Sequence, residues 1–109
     1  MVAYMVAHLK INDTEWLESE YVTVAAAIEA KHGGVHIASG QHAQVEGDDL
    51  GVVTSILQFP TIEHAWAFWN DPEYQRVVPL RQAGSHTTVV IIDGAEAPAP
   101  FAQSPAAPT

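Results

Sequence analysis

An α+β domain with one antiparallel sheet is the fold class this chain predicts. Three observations carry that reading. Apolar and polar residues alternate with a period of two near the start, where Ala3, Met5, Ala7, Leu9 and Ile11 face one way and Tyr4, Val6, His8 and Lys10 the other. Helical spacing follows in Leu17, Tyr21, Val24 and Ile28, and again in Ile62, Ala65, Trp66 and Trp69. Between and after these helical stretches come short runs rich in β-branched residues, VVTSILQF and TTVVII.

Taken in order, residues 2–11 form the first strand. Asn12 with Glu15 three residues on has the pattern of a capping box, and predicts a helix reaching Lys31. Gly33 and Gly34 end it, since glycine tolerates the left-handed cap. A second strand is expected from Val35 to about Glu46, with a bulge or bend at Gly40. Gly47, Asp48 and Asp49 turn the chain into a third strand, Gly51 to Phe59, so these two strands read as a hairpin. Pro60 stops that strand and Thr61 caps the next helix. Asp71-Pro72 starts another helix with a favoured cap and first residue, and Pro79 is expected to kink or end it. His86 to Asp93 makes the fourth strand. After Gly94 four prolines fall in AEAPAPFAQSPAAPT, so residues 1–94 are expected to form the domain and 95–109 a mobile Pro/Ala-rich tail.

The β-α-β-β-α-β order is the ferredoxin-like pattern, with a four-stranded antiparallel sheet in the order 4-1-3-2 and the helices on one face. The other face then carries Val6, Val52, Ile56, Val90 and Ile92. A bare apolar sheet is unusual in a monomer, so a homodimer paired through its sheet faces is expected.

Composition narrows the function classes. Four Lys and Arg stand against 13 Asp and Glu, a net charge of −9 with His neutral. Nucleic acid and anionic membrane surfaces are poor partners for such a chain, since both are bound by clustered cations. Cysteine is absent, which removes disulfides, thiolate nucleophiles and cysteine metal sites and fits a reducing, cytoplasmic setting. The N-terminus lacks the basic start and cleavage site of a signal peptide, and no apolar run is long enough to span a membrane.

The run FPTIEHAWAFWNDPEYQRVVPLR, with Gly-Gly ending the first helix and Glu-Gly ending the second strand, resembles the family known as domain of unknown function 1330. The resemblance covers about residues 2–94, and its specific parts are Phe59-Pro60, Ala65, Pro72-Glu73-Tyr74 and Arg81. It implies membership of the dimeric α+β barrel superfamily and therefore the same paired sheets. It implies no reaction, because the family has no general assigned activity. Relatives in the superfamily include cofactor-free monooxygenases, polyketide cyclases, lactone isomerases and haem-handling enzymes, an analogy of fold alone. The family usually has Glu before Phe-Pro, where this chain has Gln58.

Candidate site residues follow from strand parity. His8 lies on the face away from the helices, and antiparallel pairing of the first and fourth strands brings His86 to the same end. The two imidazoles suit acid and base roles in proton transfer. They lack a third ligand for a metal, and as rim residues they would be idle. His36 and Gln58 are expected as neighbours across the hairpin, either as a polar contact for a ligand or as an edge hydrogen bond. Arg81 suits a fork for a substrate carboxylate or an ion pair with Glu46, Glu73 or a second subunit. Tyr74 would orient an acidic group or pack. Trp16, Trp66 and Trp69 could line an aromatic pocket, with Trp66 and Trp69 fitting better as core. His32 and His64 are expected in solvent. The site is expected in the cavity between helices and sheet edge or between two sheets, near the end of the first strand. The expected function is a small enzyme without cofactor or metal, moving a proton on a small organic acid or polyketide-like substrate. The alternatives are a non-catalytic ligand-binding or accessory dimer, or a structural dimer with a filled barrel.

Overall fold

The computed structural model describes residues 1–94; the tail expected from residue 95 lies outside the described residues. β1 (Ala3–Ile11) pairs antiparallel with both β3 (Val53–Phe59) and β4 (Ser85–Asp93). β2 (Val35–Gln41) completes the sheet on the outer side of β3, giving the order β2-β3-β1-β4. This is the expected four-stranded antiparallel, ferredoxin-like arrangement.

Alternation along the strands divides the sheet into two faces. Ala3, Met5, Leu57 and Phe59 point to the helices and are buried with Ala65, Phe68, Tyr74, Val77 and Val78 in one core. The opposite face carries Val6, Ile56, Val90 and Ile92, of which Val90 and Ile92 are 47% and 48% exposed.

The first helix is shorter than expected. A 3₁₀ turn (Glu15–Glu18) precedes it, the backbone extends at Ser19, and α1 runs from Glu20 to Lys31. Ser19, rather than Asn12, is the cap: its hydroxyl accepts from Tyr21 N–H at 3.2 Å and donates to the Trp16 carbonyl at 2.6 Å. A serine offers its neighbours a local hydrogen bond that competes with the helix, so the helix starts there. The interruption lets Trp16 fold under and become buried. At the far end, Gly33 has a φ of 78°, the left-handed conformation its position after the helix requires.

β2 ends at Gln41, five residues short of Glu46, and its irregularity falls between His36 and Ala38, not at Gly40. Gln44 explains the early end. Its amide donates to the carbonyls of Glu46 and Gly47, and its side-chain oxygen accepts from Leu50 N–H at 2.9 Å. Backbone groups that a strand would pair are satisfied by this side chain instead. Gly51, at φ 86°, lies so close to Leu9 that any side chain would collide with the β1 backbone.

α2 (Ile62–Trp69) is capped by Thr61, whose hydroxyl accepts from His64 N–H at 3.2 Å. Ala65 and Phe68 are its buried residues, Trp69 packs at the edge of the core and Trp66 is 49% exposed, so Trp66 is not core. α3 (Pro72–Gly84) continues through Pro79 instead of ending there. Pro79 is exposed, while Tyr74, Val77, Val78 and Arg81 are buried on the opposite side. Burial of that stripe on both sides of the proline offsets the roughly 3 kcal/mol that a mid-helix proline costs.

Asp71 joins the helices. Its carboxylate accepts from His32 at 2.9 Å, Lys31 at 3.0 Å and Glu73 N–H at 2.9 Å, tying the end of α1 to the start of α3. His32 is therefore held against protein rather than free in solvent. These bonds, His32 foremost and then Lys31, hold the Asp71 carboxyl well below the usual carboxylate range. Stability from a lowered carboxyl is present at neutral pH and fades only in strong acid. Asp71→Ala removes both the cap and the tie, and should lower Tm by about 4 °C or more, read by circular dichroism. An unchanged Tm would mean that the tie contributes nothing.

Candidate functional site

α1 packs along α3 and stands away from the outer half of the sheet. The gap is a cavity of about 440 Å³ between α1, α3 and the inner face of the sheet. Its walls are mainly apolar, with Met5, Leu9, Leu57, Ala25 and Val89 among them. Leu17 and Val22 line it yet are each 44% exposed, which marks its mouth. Size and lining match those of small-molecule sites.

Two ionisable groups stand out in the wall, which also carries the hydroxyls of Ser39, Ser55 and Thr87. The first is Arg81, only 5% exposed. Its Nη1 donates to the Tyr74 hydroxyl at 2.8 Å and to the Tyr21 hydroxyl at 3.1 Å. Its guanidinium carbon sits 5.6 Å from the Tyr21 ring centre. The two hydroxyls are 3.3 Å apart. Burial, with Tyr21 adding to it, raises the Tyr74 phenol above its ordinary range, so Tyr74 keeps its proton at neutral pH. Trp16 stacks edge-on against Tyr21 at 5.4 Å and closes this end.

The second is Glu29. Its side chain is 14% exposed and its Oε2 is 3.3 Å from His36 Nδ1. Burial pushes the Glu29 carboxyl up to about 7, because the apolar surroundings disfavour the charged form. Such a carboxyl is half protonated near neutral pH and can both accept and donate a proton.

The sheet separates the residues that the sequence groups together. Arg81, Tyr74 and His36 line the cavity. His8 and His86 lie on the other face, because β4 begins at Ser85 and its parity turns His86 outward beside Lys10. His8 pairs across from Thr88, so the two histidines are diagonal neighbours on the open face, a relation that typically leaves roughly 7 Å between side-chain origins. The His8 ring is engaged on the β3 side instead, with Nδ1 2.9 Å from the Thr54 hydroxyl. His42 shares that hydroxyl at 2.6 Å. Gln58 is not opposite His36. It pairs with Val35 and Tyr4, and so points away from the cavity that His36 lines. The hairpin register is one residue from the expected one, and one residue changes the face. Arg81 has none of the expected carboxylate partners among the described residues and takes tyrosines instead.

Glu29 is the residue that sequence reasoning missed. It falls seven residues after Val22 and four after Ala25, the helix face that lines the cavity. That spacing was present in the sequence, but a glutamate on a helix reads by default as solvent-facing.

Among the described residues, no group of three His, Asp or Glu side chains converges to hold a metal. Nor is any described helix long and apolar enough to cross a membrane.

Fold and cavity together define an α+β ferredoxin-like domain with an open-mouthed, mainly apolar pocket. The chain belongs to the family described as a domain of unknown function, DUF1330, which matches residues 2–95. Among curated proteins, none matches it. Solved structures share its fold. A protein of unknown function from Rhodopseudomonas palustris is 16% identical with a TM-score of 0.71, over 88% of this chain and 84% of that one. SnoaB, a cofactor-independent oxygenase from Streptomyces nogalater, is 15% identical with a TM-score of 0.61, over 91% and 97%. A dimeric ferredoxin-like protein of unknown function from Thermobifida fusca is 13% identical with a TM-score of 0.58, over 85% and 91%.

Proposed function

We propose that the chain is a small homodimeric enzyme that moves a proton on a small, largely apolar molecule held between its helices and its sheet. The observation that carries this reading is Glu29: a carboxyl titrating at about 7, inside an apolar cavity and beside His36. A base tuned near working pH is what proton abstraction needs. Arg81, backed by Tyr21 and Tyr74, supplies positive charge at the other polar end. The fold hosts a cofactor-independent oxygenase in a similar solved structure, which supports chemistry without a dedicated cofactor here. In this reading His8 and His86 belong to the open face and take no part in the proton transfer.

Deuterium exchange at the carbon beside a carbonyl tests it, with 4-phenyl-2-butanone as probe and NMR as readout. The wild-type protein should speed exchange, more so as pH rises through about 7 and Glu29 ionises. Glu29→Gln should slow it about a hundredfold, the lower end of what general base catalysis contributes. Equal rates in the two proteins would sink the reading. The mainly apolar walls also suit a protein that holds a ligand without turning it over. Tight binding of the probe with no exchange would favour that alternative.

A further inference from the structure

We propose that the cavity takes a monocarboxylic acid head first, the free edge of the Arg81 guanidinium holding the carboxylate and the apolar body lying along α1 toward Glu29. This deepens the reading above and rests on the same cavity being the working site.

Charge pairing gives the first argument. The chain has four basic residues among 13 acidic ones. Lys10 pairs with Asp49, Lys31 with Asp71, and Arg76 with Glu20 and Glu73. Arg81, the most buried of the four, has no carboxylate within ion-pair distance among the described residues. A buried cation without a counter-charge is costly, and an anion brought by a ligand relieves it.

Hydrogen-bond counting gives the second. Arg81 Nη1 uses the two tyrosine oxygens as acceptors. Its Nε–H is buried and has no partner. The two tyrosines carry one hydroxyl proton each; one is spent between them and the other is left over. At the guanidinium itself donors therefore outnumber free acceptors, although the Thr87 hydroxyl also lines the cavity. A carboxylate is acceptor-only, and its two oxygens match the edge of a guanidinium. An amide or an alcohol would bring further donors to a place already in surplus.

Dimensions give the third. Eight residues of α1 separate Tyr21 from Glu29, about 12 Å along the helix. A ligand anchored at Arg81 thus has room for an apolar body before its far end meets Glu29 and His36, which places the proton-transfer position away from the carboxylate.

Calorimetric titration of the wild-type chain tests the proposal with 4-phenylbutanoate and octanoate against their primary amides and against phenyl phosphate. Each acid should bind at least tenfold more tightly than its amide, and Arg81→Gln should erase the difference. If that variant fails to fold, Tyr21→Phe should weaken the acids about threefold or more while leaving the amides unchanged. Equal binding of acid and amide, no acid binding at millimolar concentration, or tighter binding of phenyl phosphate would each overturn it. Failure here is distinct from failure of the proton-transfer reading. Glu29→Gln should keep the preference for acids while losing deuterium exchange. Exchange without acid preference overturns the carboxylate alone, and acid preference with exchange untouched by Glu29→Gln overturns the proton transfer alone.

Discussion

Phe68→Ala should cost about 3–5 kcal/mol of stability in urea unfolding, the range for truncating a fully buried phenylalanine. Phe68 is 1% exposed, with ring centres 5.5 Å from Phe59 and 4.3 Å from Tyr74. It joins the sheet to α2 and α3 and also lines the cavity wall. Its removal leaves a void that the surrounding rings cannot refill, so both the lost transfer energy and the void contribute. Trp66→Ala in the same helix should change stability by less than about 1 kcal/mol, since half of that side chain already meets water. A larger loss from Trp66 than from Phe68 would mean that α2 presents its other face to the sheet.

Ile92→Lys should turn a dimer into a monomer, raising the dimer dissociation constant about a hundredfold or more by analytical ultracentrifugation. Ile92 pairs with Tyr4 on the open face of the sheet, with Val90, Val6 and Ile56 beside it. These side chains are partly to half exposed in the single chain. A contiguous apolar area on the middle of a sheet marks an interaction surface. A lysine within it would bury an unpaired charge in the paired state and cost the monomer little. The dimeric neighbour from Thermobifida fusca shows that this fold supports pairing. A wild-type mass matching one subunit at micromolar concentration would end the proposal, and so would an Ile92→Lys variant that still dimerises.

The two proposals use opposite faces of the sheet, and this separates their tests. Ile92→Lys leaves the cavity walls alone, so acid binding by the variant reports whether a single subunit holds a complete site. Conversely, Arg81 and Glu29 lie on the helix side and should not alter assembly when changed conservatively.

Element order, strand parity and most of the caps were settled by sequence alone. Alternation in residues 3–11, the Asp71-Pro72 start, Thr61 before Ile62 and the glycines after α1 are local signals, each expressed within a few residues. The four-stranded topology follows from that order because short connections leave few alternatives. The family resemblance over nearly the same span also came from local motifs. Register, rotation and depth were decided only by tertiary packing. Gln58 and His36 lie on opposite faces because the hairpin pairs one residue away from the expected register. Phe68 rather than Trp66 faces the core because the whole stripe of α2 is turned by its contact with Phe59 and Tyr74. α3 runs through Pro79 because burial of residues on either side outweighs the local penalty. Glu29 acquires its proton affinity from walls supplied by β2, β3 and α1 together, and Arg81 loses its expected carboxylate because two tyrosines reach it first. Periodicity fixes which residues share a face of their own element. Which faces meet, and how far a side chain such as Glu29 is withdrawn from water, depends on side chains far apart in the chain, and the chemistry of this cavity follows from that withdrawal.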